Sequence, residues 1–255
     1  MPERILKNCR LWWDGLDLSG QSNRVTFRAV QDMVEATKFG SSYRRRKPGL
    51  RSAEISAAGS WDATTGKYGI SVDSVFWARL ASSTGIFTVT EDDTTRANAY
   101  SANAAIAQYE PGMVIGELLS FTIAAQSVGG VGWGKVIRNT TVGTSAGLGV
   151  AVRPMGSTAG LGAARSQVYG VLHVIRGTSK AAHNSTLSIQ CASSSGFGDA
   201  TTFLKFDNVS TGLPHGQWKS TKPQGTNSTK VWYRMRWKNS TAAVQVNLRC
   251  AVVIK

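Results

Sequence analysis

Residues 17–63 place the tightest limit on the fold. They hold two stretches of period-two alternation joined by a connection too long and too charged to be a simple turn. In the first stretch Val25, Phe27 and Ala29 share one face, and Thr26 and Arg28 take the other. In the second, Ala53, Ile55, Ala57 and Trp61 alternate with Ser52, Glu54, Ser56 and Ser60. Such alternation is the mark of strands buried on one face. The connection Ser41–Gly49 carries Arg44, Arg45, Arg46 and Lys47, then Pro48-Gly49. Hairpin loops usually take about two to five residues, so this one reads as an arm, over about residues 40–50, that reaches beyond its own hairpin.

The rest of the chain extends the β pattern with one exception. Ser71 is a good helix cap, Val72, Val75, Phe76 and Leu80 share a helical face, and "ASSTG" supplies a stop. This helix is expected to pack across the sheet of the arm-bearing hairpin. Ile86–Thr90 starts a strand, and Leu119, Phe121, Ile123 and Ala125 alternate with Ser120, Thr122 and Ala124 in another, with which Lys135–Thr141 is expected to pair. From about Gly143 the composition shifts to Gly, Ala and Ser, which places a domain boundary near residue 138 and gives domains 1–138 and 139–255. Val168–Ile175 is an apolar run broken only by His173, as in a central strand covered on both faces, and Leu187–Cys191 and Thr202–Phe206 continue the pattern. Near the C-terminus Val231, Tyr233, Met235 and Trp237 oppose Trp232, Arg234, Arg236 and Lys238. After them Val244, Val246, Leu248, Cys250, Val252 and Ile254 alternate with Gln245, Asn247 and Arg249. The fold class is all-β with one helix, as a sandwich or barrel.

Charge is distributed unevenly. Of the net +14, residues 1–128 carry 14 Lys/Arg against 13 Asp/Glu, whereas residues 129–255 carry 15 against Asp199 and Asp207 alone. That asymmetry points to an acidic partner for the second half. Cys9, Cys191 and Cys250 lack metal-ligand spacing. Cys191 and Cys250 fall on apolar faces, as buried reduced thiols or as a Cys191–Cys250 disulfide. No stretch approaches the roughly 18 apolar residues of a membrane span, and Met1–Arg10 is too polar for a secretory signal, so folding in a cytoplasm is expected.

Catalytic readings find little support. Gly129–Lys135, "GGVGWGK", imitates a phosphate loop, but Val136 stands where Mg²⁺ binding needs a hydroxyl, and "VIRNTTV" reads as strand rather than helix. It is expected to be a Gly-rich β-turn. His173 falls inside a predicted strand, His183 and His215 fall in polar loops, and the second half has only two acids to partner them. Glu91-Asp92-Asp93 lacks the spacing of a calcium loop and reads as a solvated turn. The chain is not expected to be an enzyme, and no catalytic residue, metal site or cofactor is indicated.

Two basic features remain. Tyr43, Arg44, Arg45, Arg46, Lys47 and Pro48 form the arm. A charge run in a loop is ordinarily just solvated, but arginines can also pair bidentately with a neighbour's carboxylates, and Asp32, Glu35, Glu54 and Asp62 are available in the same half. The second feature is an outward stripe of Lys230, Trp232, Arg234, Arg236 and Lys238, with Arg249 expected on the adjoining strand. It suits phosphate contacts, an acidic surface or a subunit bridge.

The order and spacing of "DLSGQSNRV", "ATKFGSSYR…PGL", "SAAGSWDA", "YEPGMVIGELLSFTIAAQSVGG", "VYGVLHV" and "VWYRMRWKNSTAAVQVNLRCAVVI" resemble siphophage-type major tail (tail tube) proteins. The "RRRK" run departs from the mixed-charge arm of that family. The resemblance implies a tail-tube β-barrel or sandwich domain with an inter-subunit arm over 1–138, followed by a basic, outward-facing β-sandwich domain over 139–255. It implies a structural virion protein that forms hexameric rings, stacked into a non-contractile tube and assembled in the host cytoplasm. Its partners would be other copies of itself, tape-measure and other tail proteins, genome DNA passing through the lumen and acidic cell-surface polymer, without membrane insertion. The alternatives are a capsid-decorating or head–tail connector protein, and a basic nucleic-acid-binding protein.

Overall fold

The computed structural model describes residues 8–61, 71–80, 84–142, 146–153, 168–177, 185–207, 215–221, 232–239 and 246–254. Fourteen strands and one helix are assigned among them, and every strand pairing with a defined register is antiparallel. The strands are β1 (Arg10–Trp13), β2 (Leu16–Asp17), β3 (Ser22–Glu35), β4 (Arg46–Ser60), β5 (Thr84–Thr90), β6 (Asn98–Gly112), β7 (Ser120–Val142), β8 (Gly147–Leu148), β9 (Val168–Gly177), β10 (Ser185–Ala192), β11 (Thr201–Lys205), β12 (His215–Thr221), β13 (Trp232–Asn239) and β14 (Val246–Ile254). The helix α1 is Val72–Leu80.

The chain forms two compact units that interleave along the sequence. Unit one is residues 1–20, 85–101 and 132–255; unit two is residues 21–84 and 102–131. A cut near residue 138 would fall inside β7, because β6 and β7 are long strands that each contribute to both units.

Unit one holds two sheets. The larger follows the order β12-β9-β14-β7-β6-β5-β1-β2, and the smaller is β11-β10-β13-β8. Leu172, Val174, Leu248, Cys250 and Val252 from the larger sheet meet Leu187, Ile189, Leu204, Tyr233, Met235 and Trp237 from the smaller one in a single buried cluster. This is a sandwich core. The opposite face of β9 and β14 is buried as well: Tyr169, Val171, Ala251 and Val253 pack with Ile86, Ala97, Ala99 and Val136. Residues 168–175 are buried throughout, as an apolar run broken only by His173 predicts.

The larger sheet also curls back on itself. β1 and β2 are joined by Asp14-Gly15 with φ of 45° and 85°, the two-residue turn that suits the right-handed twist of a hairpin. Asp14 Oδ1 accepts the Ile86 amide at 2.9 Å. The Gly15 amide donates to His173 Nδ1 on β9 at 3.2 Å, while His173 Nε2 meets Thr88 Oγ1 at 2.7 Å and Thr88 Oγ1 meets Ser101 Oγ at 2.9 Å. Because Nδ1 accepts a backbone N–H, the proton of a neutral ring sits on Nε2. His173 thus clasps the sheet shut. Cys191 and Cys250 are free buried thiols in the sandwich core.

Unit two is built from the β3–β4 branch of that larger, ten-stranded sheet with the adjoining parts of β6 and β7, and a helix on it. β3 pairs with β4, β4 pairs with β7 over Glu54–Ser60, and β7 neighbours β6. Opposite residues share a face, so the register lines up Phe27, Ile55 and Ala125, then Val25, Ala57 and Ile123. Ala53, Ile55, Ala57, Phe121, Ile123 and Ala125 are buried while Ser52, Glu54, Ser56 and Ser60 are exposed, as the alternation requires. Ser71 caps α1, accepting the Ser74 amide at 3.1 Å. Phe76 of α1 packs on Tyr109 of β6 and Phe121 of β7, with ring centroids 5.6 and 5.7 Å away. Tyr109 Oη donates to Asp73 Oδ1 at 2.7 Å, and the Trp61 indole donates to both, at 3.0 Å to Tyr109 Oη and 3.2 Å to Asp73 Oδ1.

Several sequence expectations need correction. Lys135–Thr141 does not pair with the strand at Leu119–Ala125; both belong to β7, and the later stretch pairs with β14 instead. Gly129–Lys135 is strand, not a turn. A Cβ on Gly134 would lie 1.9 Å from the Val252 carbonyl oxygen, so glycine there allows β7 and β14 to approach. His215 begins β12 rather than lying in a loop, and His183 lies outside the described residues. Glu91-Asp92-Asp93 is a partly exposed turn as expected, but its acids are also partnered: Asp93 pairs with Arg10 at 3.2 Å and Arg249 at 3.5 Å, while Glu91 accepts the Asn98 amide and side chain at 3.1 and 2.8 Å.

Candidate assembly surfaces

The arm follows from the register of β3 and β4. The β4–β7 ladder ends at Glu54, followed only by the Ala53 amide donating to Ser127 Oγ of β7 at 2.8 Å; beyond that β4 pairs with β3 alone among the described residues, and the two run on as a hairpin to Glu35 and Arg46. The connection is residues 36–45, closed by the Ala36 amide donating to the Arg45 carbonyl at 2.8 Å and by the Arg45 amide donating to Thr37 Oγ1 at 3.0 Å. Strand pairing therefore extends further than the sequence suggested. Arg46, Lys47 and Pro48 belong to β4, opposite Glu35, Val34 and Met33, and only Tyr43, Arg44 and Arg45 lie in the connection. Pro48 sits beside a register shift between Gln31 and Met33, where its missing N–H disturbs the ladder least.

All six arm residues are exposed. Phe39 and Tyr43, 109% and 83% exposed, and Leu50 and Met33 are exposed apolar groups on the same segment. Of the acids expected to receive an arm, Asp32 and Glu35 lie on the arm itself. Glu54 is paired with Arg28 at 3.2 Å, and Asp62 is outside the described residues.

The opposite end of the same sheet carries a second group of exposed apolar side chains. β4 and β7 run antiparallel with Ser60 opposite Ser120, so the β6–β7 connection, residues 113–119, lies at the end of β4 remote from the arm. It turns at Val114–Glu117, with the Glu117 amide donating to the Val114 carbonyl at 3.2 Å and Gly116 at φ 88°. Met113, Val114, Ile115, Leu118 and Leu119 are all exposed there, Ile115 at 104% and Leu118 at 90%. "MVIGELL" gives its own signal: an apolar run interrupted only by a turn glycine and one acid. Among the described residues 12 of the 15 exposed large apolar side chains lie in unit two. Solvent-facing apolar groups concentrated in this way mark a contact surface.

The basic stripe is only partly assembled. Arg236 and Lys238 on β13 are exposed, Trp232 and Arg234 are half-buried, and Lys230 lies outside the described residues. Arg234 donates from Nε to Gln190 Oε1 at 3.0 Å and covers the Phe197 ring at 4.1 Å; burial, then neighbouring Arg236, lowers its pKa. Arg153 covers Trp232 at 5.3 Å. Register adds Lys205, opposite Ser188 on β10, which is in turn opposite Arg236. Arg249 does not belong to this stripe. Its strand β14 pairs with β7 and β9, whereas β13 pairs with β10 and β8, so the two lie in different sheets. Arg249 is instead turned toward Asp93 and the Trp12 ring, 5.8 Å from its centroid. Burial lowers its pKa, and Asp93 and Asp17 oppose that shift.

Among the described residues no three His, Cys, Asp or Glu side chains are placed to hold a metal ion, and no helix is long and apolar enough to cross a membrane.

No protein-family model matches the chain. No curated protein matches it either. Among solved structures, it is similar to a chain of the virion of a native gene transfer agent particle, at 20% identity and TM-score 0.40, covering 51% of this chain and 98% of that one. It is similar to a chain of the PVC sheath–tube complex of an extracellular contractile injection system in its extended state, at 14% identity and TM-score 0.42, covering 53% and 93%. A third likeness, to the SPP1 Dit protein of the hub adsorption apparatus in phages infecting Gram-positive hosts, has 13% identity and TM-score 0.37, covering 96% and 99%. At these identities and scores none of them assigns a role to a residue of this chain.

Proposed function

We propose that this chain is a structural virion protein, the major subunit of a non-contractile phage tail tube. Copies join through unit two into rings, hexameric as the sequence resemblance implies, and the rings stack around a lumen. The observation that carries this reading is the distribution of exposed apolar groups: unit two presents them at both ends of its sheet, one end being the unpartnered β3–β4 arm. Among the described residues β3 pairs only with β4, and in this reading its outer edge is where a strand of a neighbour adds. A unit that only had to be soluble would cover or shorten such an edge.

Charge supports a division of labour. The segments of unit one hold 19 Lys/Arg against 8 Asp/Glu, and those of unit two hold 10 against 7. In this reading unit two builds the tube wall and the excess positive charge faces outward. A strongly basic lumen would hold travelling DNA through counterion release and slow its passage. Residues Arg234, Arg236, Lys238 and Lys205 then face an acidic partner, such as cell-surface polymer, and the tape-measure protein occupies the lumen before the genome does.

Sedimentation velocity of the purified chain and of an Arg44→Ala, Arg45→Ala, Arg46→Ala variant tests this. The wild type should sediment as rings and larger species, with assembly shifted to higher protein concentration in the variant. Identical assembly in both would remove the basic run from the contact, and a wild type that stays monomeric would refute the tube reading.

A further inference from the structure

The two apolar ends of unit two differ in charge. Residues 31–51, the arm end, carry Lys38, Arg44, Arg45, Arg46, Lys47 and Arg51 against Asp32 and Glu35. Residues 108–119, at the other end, carry Glu110 and Glu117 and no basic residue. The register fixes their separation: from Arg51 to Ser60 the β4 strand spans roughly 30 Å at about 3.3 Å per residue.

We propose that the β6–β7 end of one copy receives the arm end of a second copy of this chain, so that copies join head to tail along the strand direction of unit two. The proposal rests on the tube reading and names the surface on which the arm docks. Three observations favour it. Both ends expose apolar side chains that need cover: Phe39 and Tyr43 at one, Ile115 and Leu118 at the other. Their charges are opposite, so the pairing is attractive, whereas arm against arm would bring two basic clusters together. The two surfaces are also different and lie at opposite ends of one sheet. Such a heterologous contact leaves a free arm and a free receiving end on every pair, so that growth along the strand direction continues wherever the rotation between copies does not close a ring. An arm–arm contact would stop at a dimer.

The test uses the full chain with Cys9→Ser, since Cys191 and Cys250 are buried. One preparation carries Tyr43→Cys, a second Ile115→Cys, and a third both. After assembly and mild oxidation, the mixture of the two single variants should give a disulfide-linked dimer, and the double variant a ladder of multimers. Tubes that form without this crosslink, or with only Tyr43–Tyr43 dimers, would overturn the docking while leaving the tube reading intact. A companion variant, Ile115→Asp with Leu118→Asp, changes two fully exposed side chains and should leave the monomer's thermal unfolding unchanged. It should raise the concentration needed for tubes by at least about tenfold, the size expected for loss of an apolar anchor. Tubes of normal length at normal concentration would again overturn the docking alone, whereas a wild type that never assembles overturns both.

Discussion

Replacing Tyr109 with Phe removes one oxygen from a three-way junction that ties α1 to the sheet of unit two. The ring keeps its packing on Phe76, but the hydroxyl is lost from Asp73 Oδ1, 2.7 Å away, and from the Trp61 indole at 3.0 Å. A hydrogen bond to a charged group contributes about 1.5–3 kcal/mol. Trp61 still reaches Asp73 at 3.2 Å, so no donor is orphaned and the cost should be near 2 kcal/mol. Asp73→Ala removes the same bond, leaves the buried Tyr109 hydroxyl without this acceptor, and deletes a negative charge from the first turn of α1, itself contributing about 0.3–1 kcal/mol. Because the Tyr109–Asp73 bond is shared, the double variant should cost less than the sum of the singles by about 1–2 kcal/mol. Urea unfolding of the dissociated chain, for wild type, both singles and the double, measures all the terms. If Tyr109→Phe cost less than about 0.5 kcal/mol, or if the two changes were additive, the junction would not be what holds the helix.

Ser71→Ala should cost about 1 kcal/mol in the same assay, through loss of the helix cap that accepts the Ser74 amide. Gly134→Val should be far more damaging, because its side chain would be driven into the Val252 carbonyl; loss of the folded monomer by circular dichroism is the expected result. Alkaline pH should destabilise unit one. Burial, reinforced by Cys191, pushes the Tyr233 hydroxyl up to about 12 from an ordinary value of 10.0. A raised folded value means the neutral form is favoured by folding, so this contribution is complete below pH 10 and is lost toward pH 12, at up to about 1.4 kcal/mol per pH unit. Tyr233→Phe should flatten that part of the stability–pH curve.

The parts of the fold legible in the sequence were those in which a strand has one wet face or two dry ones. Ala53–Ser60 alternates because its outward residues meet water, and Val168–Ile175 does not because β9 is covered on both sides. Elsewhere the local signal misled. The glycines of 129–134 look like a turn, yet they lie within strand β7, and Gly134 serves close approach to β14, which only the position of β14 reveals. β6 is built largely from alanine and polar residues, with Ala99, Ala102 and Ala104 buried, and so gives a weak strand signal. The Asp14-Gly15 turn reaches His173 across the curled sheet, a contact between residues 158 positions apart that no local signal shows. Arg249 went astray for the same reason: adjacency in sequence suggested that β13 and β14 pair, and the topology puts them in different sheets. The arm was legible as a basic run, whereas the opposite end of its sheet becomes visible only once the register places the two apart.

Electron microscopy of the purified full-length chain tests most directly the claim that unit two is a self-assembly module. The account predicts rings and stacked tubes with an open centre, formed without nucleic acid and shortened when Ile115 and Leu118 carry charge. A population of single, unassociated particles at every concentration and salt tried, or binding to DNA as the sole route to larger species, would contradict it.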